Sequence, residues 1–86
     1  GGTYAVTKHA LLGFSKSLRE EGRAFGIRVT SLLPGATLTD SWSGVDLPPS
    51  RFMSPESVAK VVSIAYQINE DTQMEEVLLR PIEGDI

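Results

Sequence analysis

Tyr4 and Lys8 stand one helical turn apart in TYAVTKHALLGFSKSL, residues 3–18, a stretch with helical spacing of its apolar residues. A phenol titrates near 10, so at neutral pH it is a slow proton donor or acceptor. Working near pH 7 requires its anion to be favoured by roughly 4 kcal/mol. An ammonium about 5 Å away supplies about 3 kcal/mol at an effective dielectric near 20. A separation of four residues holds both side chains on one helix face. The positive pole at the helix start adds a contribution of the same sign. Such a tyrosine could exchange a proton with an alcohol or carbonyl oxygen while another group moves a hydride. Plain surface packing gives the same spacing, and the spacing by itself does not separate the two readings.

These side chains must be positioned by the elements around them. A helix is expected over 3–25, with Ala10, Phe14 and Leu18 in one row and Tyr4, Lys8 and Leu12 in another, so both sides should be covered. Gly26 suits the left-handed turn that stops a helix. IRVTSLL predicts a strand over 27–33, ended by Pro34-Gly35. Residues 36–53 form a long irregular connection, of the kind that serves as a lid or binding segment. Ser54, Pro55 and Glu56 then open a helix over 55–68, with Val58, Val61, Val62, Ala65 and Ile68 as its buried stripe. A final strand is expected over 76–82. The order helix–strand–loop–helix–strand argues for an α/β architecture with parallel crossovers. Two strands alone make a poor sheet.

The surrounding text adds to the pair. YAVTKHALLGFSKSLREE followed by IRVTSLLPGATLTD resembles the classical branch of the short-chain dehydrogenase/reductase family. That family carries Tyr-x-x-x-Lys on a long helix with Ser or Thr before the lysine, as Thr7 is here. A strand, Pro-Gly and a threonine four residues after the glycine follow, matched by Pro34, Gly35 and Thr39. Sugar epimerases share the Tyr–Lys pair but do not normally continue in this way. The resemblance implies that Tyr4 is the catalytic acid/base and that Lys8 assists it and holds the nicotinamide ribose. It places Tyr4, Lys8, Pro34, Gly35, Thr37 and Thr39 against the cofactor, NAD or NADP. The family usually has Val or Ile where Thr37 stands. Thr37 and Thr39 have ordinary loop capping as the alternative. Trp42, in the expected substrate loop, is either a substrate contact or a loop anchor.

On this resemblance residues 1–86 are the C-terminal portion of a single NAD(P)-binding Rossmann domain, a doubly wound parallel sheet, without its N-terminal cofactor-binding half. The glycine-rich phosphate turn, the catalytic serine and the asparagine of the family are not found in these residues. The expected parent is an oxidoreductase interconverting a carbonyl and a secondary alcohol. The alternative for these residues alone is an inactive fragment or association module. Family members commonly dimerise through the Tyr–Lys helix, so a homo-oligomer through residues 4–25 is expected.

Composition excludes other classes. The 86 residues hold no cysteine and one histidine, His9, which leaves no thiolate or histidine-rich metal site. His9 itself reads as structural. With 41% hydrophobic and 22% charged residues and a formal charge of −3, no basic patch points to nucleic acid. No apolar run has the roughly 20 residues needed to span a membrane. These features fit a cytoplasmic protein with a small-molecule substrate.

Overall fold

The computed structural model describes residues 2–39, 44 and 46–84. Helix α1 runs over Gly2–Gly22 and passes into a 3-10 turn at Arg23–Phe25. Gly26 then takes φ +70°, and its N–H reaches the Arg23 carbonyl at 3.2 Å. The α-helix thus stops three residues before the expected end, because the chain folds back earlier. The Ile27 N–H donates to the Gly22 carbonyl, and a Cβ on Gly22 would lie 3.0 Å from that of Ile27. Only a glycine leaves room for this return at its tight point.

Strands β1 (Ser31–Pro34) and β2 (Glu76–Leu79) pair in parallel, with Ser31 opposite Glu76 and Pro34 opposite Leu79. The strand expected over 27–33 is therefore shorter and starts later. Side chains take the place of the ladder over 27–30. Gln73 accepts from the Val29 N–H at 3.2 Å and donates to the Val29 carbonyl at 2.8 Å. The Thr30 hydroxyl donates to the Met74 carbonyl at 2.7 Å. Arg28 donates to the carbonyls of Ile68, Asn69 and Thr72 at 2.9–3.0 Å, placing a cation at the negative end of α2. The second strand stops at Leu79 instead of running to 82. Pro81 lacks an N–H for further pairing, and its carbonyl closes a turn with the Gly84 N–H at 2.8 Å.

Residues 36–53 are joined at their base by a parallel bridge between Thr37 and Met53. The Leu38 N–H reaches the Met53 carbonyl, and the Met53 N–H that of Ala36, each at 2.9 Å. Helix α2 spans Pro55–Gln67. The Ser54 hydroxyl caps it by accepting the Ser57 N–H at 3.1 Å, with Pro55 and Glu56 in the first turn.

No large apolar side chain is buried among the described residues. The expectation that α1 is covered on both sides is corrected, since Phe14 is 62% exposed and Val6, Leu11 and Leu18 are exposed as well. In the α2 stripe Val62 is exposed, and Val58, Val61, Ala65 and Ile68 are half-buried. The accessible surface is 6525 Å², against about 5,000 Å² for a folded monomer of this mass. The radius of gyration is 15.3 Å, against about 12 Å for a compact domain of this length. Two strands and two helices do not cover one another's apolar faces.

Among the described residues, the buried polar side chains are those of Ser15, Arg19 and Ser31. Arg19, 7% exposed, donates at 3.1 Å to the carbonyls of both Val29 and Glu75. It fastens α1 to the segments leading into both strands. Arg19→Ala in the full-length protein leaves both carbonyls without this donor and should lower stability by about 2–3 kcal/mol. Urea unfolding followed by circular dichroism would measure it, with Arg19→Lys recovering less than half.

Candidate active site

The Tyr–Lys pair is positioned by α1, in which Lys8 follows Tyr4 by one turn, so that both side chains lie on one face. The Thr7 hydroxyl turns back to the Thr3 carbonyl at 3.0 Å, and His9 donates through Nδ1 to the Ala5 carbonyl at 2.8 Å. His9 thus spends a ring nitrogen on its own helix and stands outside the cleft, as a structural residue does. Tyr4 is 69% exposed and Lys8 half-buried. Neither side chain makes a hydrogen bond among the described residues, so both polar groups are available to a ligand.

These two residues meet the ends of both strands. A cleft of about 90 Å³ is lined by Tyr4 and Lys8 from α1, by Leu33, Pro34 and Gly35 at the end of β1, and by Leu78, Leu79 and Arg80 at the end of β2. In open α/β sheets ligands bind beyond the carboxyl ends of the strands, where this cleft lies. The structure therefore brings together four of the expected site residues: Tyr4, Lys8, Pro34 and Gly35.

Gly35 has a reason other than close approach to a ligand. Its N–H donates to the Leu79 carbonyl at 2.7 Å, and a Cβ there would lie 3.0 Å from that oxygen and 3.2 Å from Pro81 Cδ. The crowding comes from the chain itself. Thr37 and Thr39 do not line the cleft. The Thr37 hydroxyl donates to the Gly35 carbonyl at 3.0 Å, a local turn bond that matches the capping alternative. Trp42 lies outside the described residues. Tyr66, on α2, is 86% exposed. Leu33, Leu78, Leu79 and Arg80 complete the lining and were not among the expected site residues, since none belongs to a motif.

Among the described residues no group of three or more His, Asp or Glu could hold a metal ion, and no helix is long and apolar enough to cross a membrane.

Comparison with known proteins agrees with this geometry. The model of the short chain dehydrogenase family matches residues 1–48, more than half of the chain. The chain belongs to the short-chain dehydrogenase family. Among its members, a sepiapterin reductase of Chlorobaculum tepidum is 36% identical over 84 residues, covering 96% of this chain and 34% of that protein. Carbonyl reductase family member 4 of Xenopus tropicalis is 39% identical over 66 residues, covering 69% of this chain and 28% of that protein. The crystal structure of a betaketoacyl-ACP reductase (FabG) from Bacteroides thetaiotaomicron superposes with a TM-score of 0.82 at 29% identity, over 96% of this chain and 37% of that one. The short-chain dehydrogenase chain thus has an α/β, Rossmann-type fold and spans about a third of the length of the curated relatives it matches.

In this short-chain dehydrogenase, Gly35→Ala forces a methyl group against a carbonyl that cannot retreat without losing its bond to the same residue. The full-length variant should lose about 1–3 kcal/mol of stability, read as a lower urea midpoint.

Proposed function

We propose that the protein carrying these residues is an NAD(P)-dependent oxidoreductase that interconverts a carbonyl and a secondary alcohol, with Tyr4 as its acid/base. One observation carries this reading: Tyr4 and Lys8 share a cleft with Pro34-Gly35 at the carboxyl ends of two parallel strands. Residues 1–86 are then the C-terminal portion of a single Rossmann domain. The uncovered apolar side chains and the partial coverage of the relatives support that placement.

The donor set fits the nicotinamide–ribose end of such a cofactor. Lys8 offers ammonium protons to ribose hydroxyls, and the Pro34-Gly35 backbone forms the wall beside the ring. A bound nicotinamide supplies or accepts the hydride at the substrate carbon. In reduction the Tyr4 hydroxyl donates its proton to the carbonyl oxygen, and in oxidation the Tyr4 oxygen takes the proton of the alcohol. Lys8, on the same face of α1, favours the negative charge that the Tyr4 oxygen carries between these steps. Leu33, Leu78 and Leu79 supply apolar wall that limits water near the exchanging proton.

Loss of the Tyr4 hydroxyl should remove general acid/base catalysis. In the full-length enzyme Tyr4→Phe should lower kcat by at least about 10²–10⁴-fold. Lys8→Met should lower kcat and also weaken cofactor binding, read from the fluorescence of the reduced nicotinamide. Unchanged kcat in Tyr4→Phe overturns the assignment.

A second reading concerns the 86 residues in isolation, and the exposed apolar surface favours it. Without a buried apolar core, the chain alone should associate through exposed side chains of α1, Val6, Leu11, Phe14 and Leu18 among them. It should show no cofactor reduction. A purified sample with the intact mass of this chain alone, assayed at several concentrations beside analytical ultracentrifugation, tests both statements; a monomer sinks the first and measurable turnover the second.

A further inference from the structure

The turn after β1 is held at three successive backbone groups. The Gly35 N–H donates to the Leu79 carbonyl at 2.7 Å, the Gly35 carbonyl accepts the Thr37 hydroxyl at 3.0 Å, and the Ala36 carbonyl accepts the Met53 N–H at 2.9 Å. The N–H groups of Ala36 and Thr37 have no hydrogen-bond partner among the described residues. Two donors thus stand unspent directly after Gly35, which shares the cleft lining with Tyr4 and Lys8.

A trans peptide is planar, so its carbonyl and its N–H point in opposite directions. Holding the Gly35 carbonyl therefore aims the Ala36 N–H, and holding the Ala36 carbonyl aims that of Thr37. The second carbonyl is held by backbone, through Met53. The first is held by a side chain, the Thr37 hydroxyl reaching back two residues in a half-buried bond. A valine in its place would keep the branched outline and leave that carbonyl without its donor.

We propose that Thr37 is a positioning residue: by holding the Gly35 carbonyl, its hydroxyl fixes the Gly35–Ala36 peptide in advance for the nicotinamide end of the cofactor. Thr37 acts through Gly35 and does not itself line the cleft. A turn ordered beforehand strengthens binding because the ligand does not have to order it. The cofactor in this statement rests on the proposed function.

The test uses the full-length protein and titrates NADH and NADPH by the fluorescence of the reduced nicotinamide, for wild type, Thr37→Val and Thr37→Ser. Valine keeps the shape and loses the hydroxyl, whereas serine keeps the hydroxyl and loses the methyl group. Thr37→Val should raise the dissociation constant of the preferred cofactor about 3–10-fold, and Thr37→Ser should bind as wild type does. ADP-ribose, or its 2′-phosphate where NADPH is preferred, lacks the nicotinamide and should bind all three proteins equally, read by calorimetry. Three results would each overturn the positioning role and leave the oxidoreductase reading intact: unchanged cofactor binding in Thr37→Val, a loss in Thr37→Ser as large as in Thr37→Val, or equal losses for cofactor and ADP-ribose. Wild type that binds neither NADH nor NADPH overturns both.

Discussion

The hydrogen bond from the Gly35 N–H to the Leu79 carbonyl, 2.7 Å long, closes the far end of the only ladder among the described residues. One strand leads from it to Pro34-Gly35 and the 36–53 connection, the other to Arg80 and Pro81. If the two ends separated, the cleft floor would divide between its two halves, and α1 would face neither as it does now. The bond needs a residue without a side chain on one partner, because the same oxygen lies 3.0 Å from where a Cβ would be. A steric constraint inside the backbone thus sets the shape of a polar site.

The opposite end of the sheet is held by side chains. Arg19 joins α1 to Val29 and Glu75, Arg28 gathers three carbonyls after α2, and Gln73 satisfies both backbone groups of Val29. Guanidinium bonds to carbonyls are charge-assisted and stronger than neutral pairs. They allow a short two-strand ladder to persist where few backbone bonds are made. This division has a chemical consequence. Polar side chains at the leading end are spent on structure, while Tyr4 and Lys8 at the trailing end make no side-chain hydrogen bond among the described residues.

Local features were legible in the sequence, and features that depend on distant partners were not. The Tyr4–Lys8 spacing, the left-handed Gly26 and the Ser54 cap are each set within a few residues, and each stands where the sequence indicates. The start of β1 was misread because bonds from Gln73 and Met74, more than 40 residues away, replace the ladder over 27–30. Val62 lies on the apolar stripe of α2 and is exposed, because a pattern shows which face seeks burial and not whether a partner covers it. Pro34-Gly35 announced a close approach without saying to what. Arg80 was passed over because it belongs to no motif; only the topology brings it to the cleft.

Site and stability therefore draw on different parts of this chain. The cleft needs five residues of helix, two strand ends and one backbone bond, all present among the described residues. The hydrophobic contribution needs faces that these elements do not cover, leaving about 1,500 Å² more surface exposed than a folded monomer of this mass shows. Such an excess is comparable to the total area of a standard protein–protein interface, about 1,600 Å². At about 25 cal/mol per Å² of apolar area, even the apolar half of it is worth well over 10 kcal/mol, more than the margin by which most domains stay folded. The geometry of the cleft is thus set by one helix face and two paired strand ends, whereas its persistence depends on whatever covers α1 and α2.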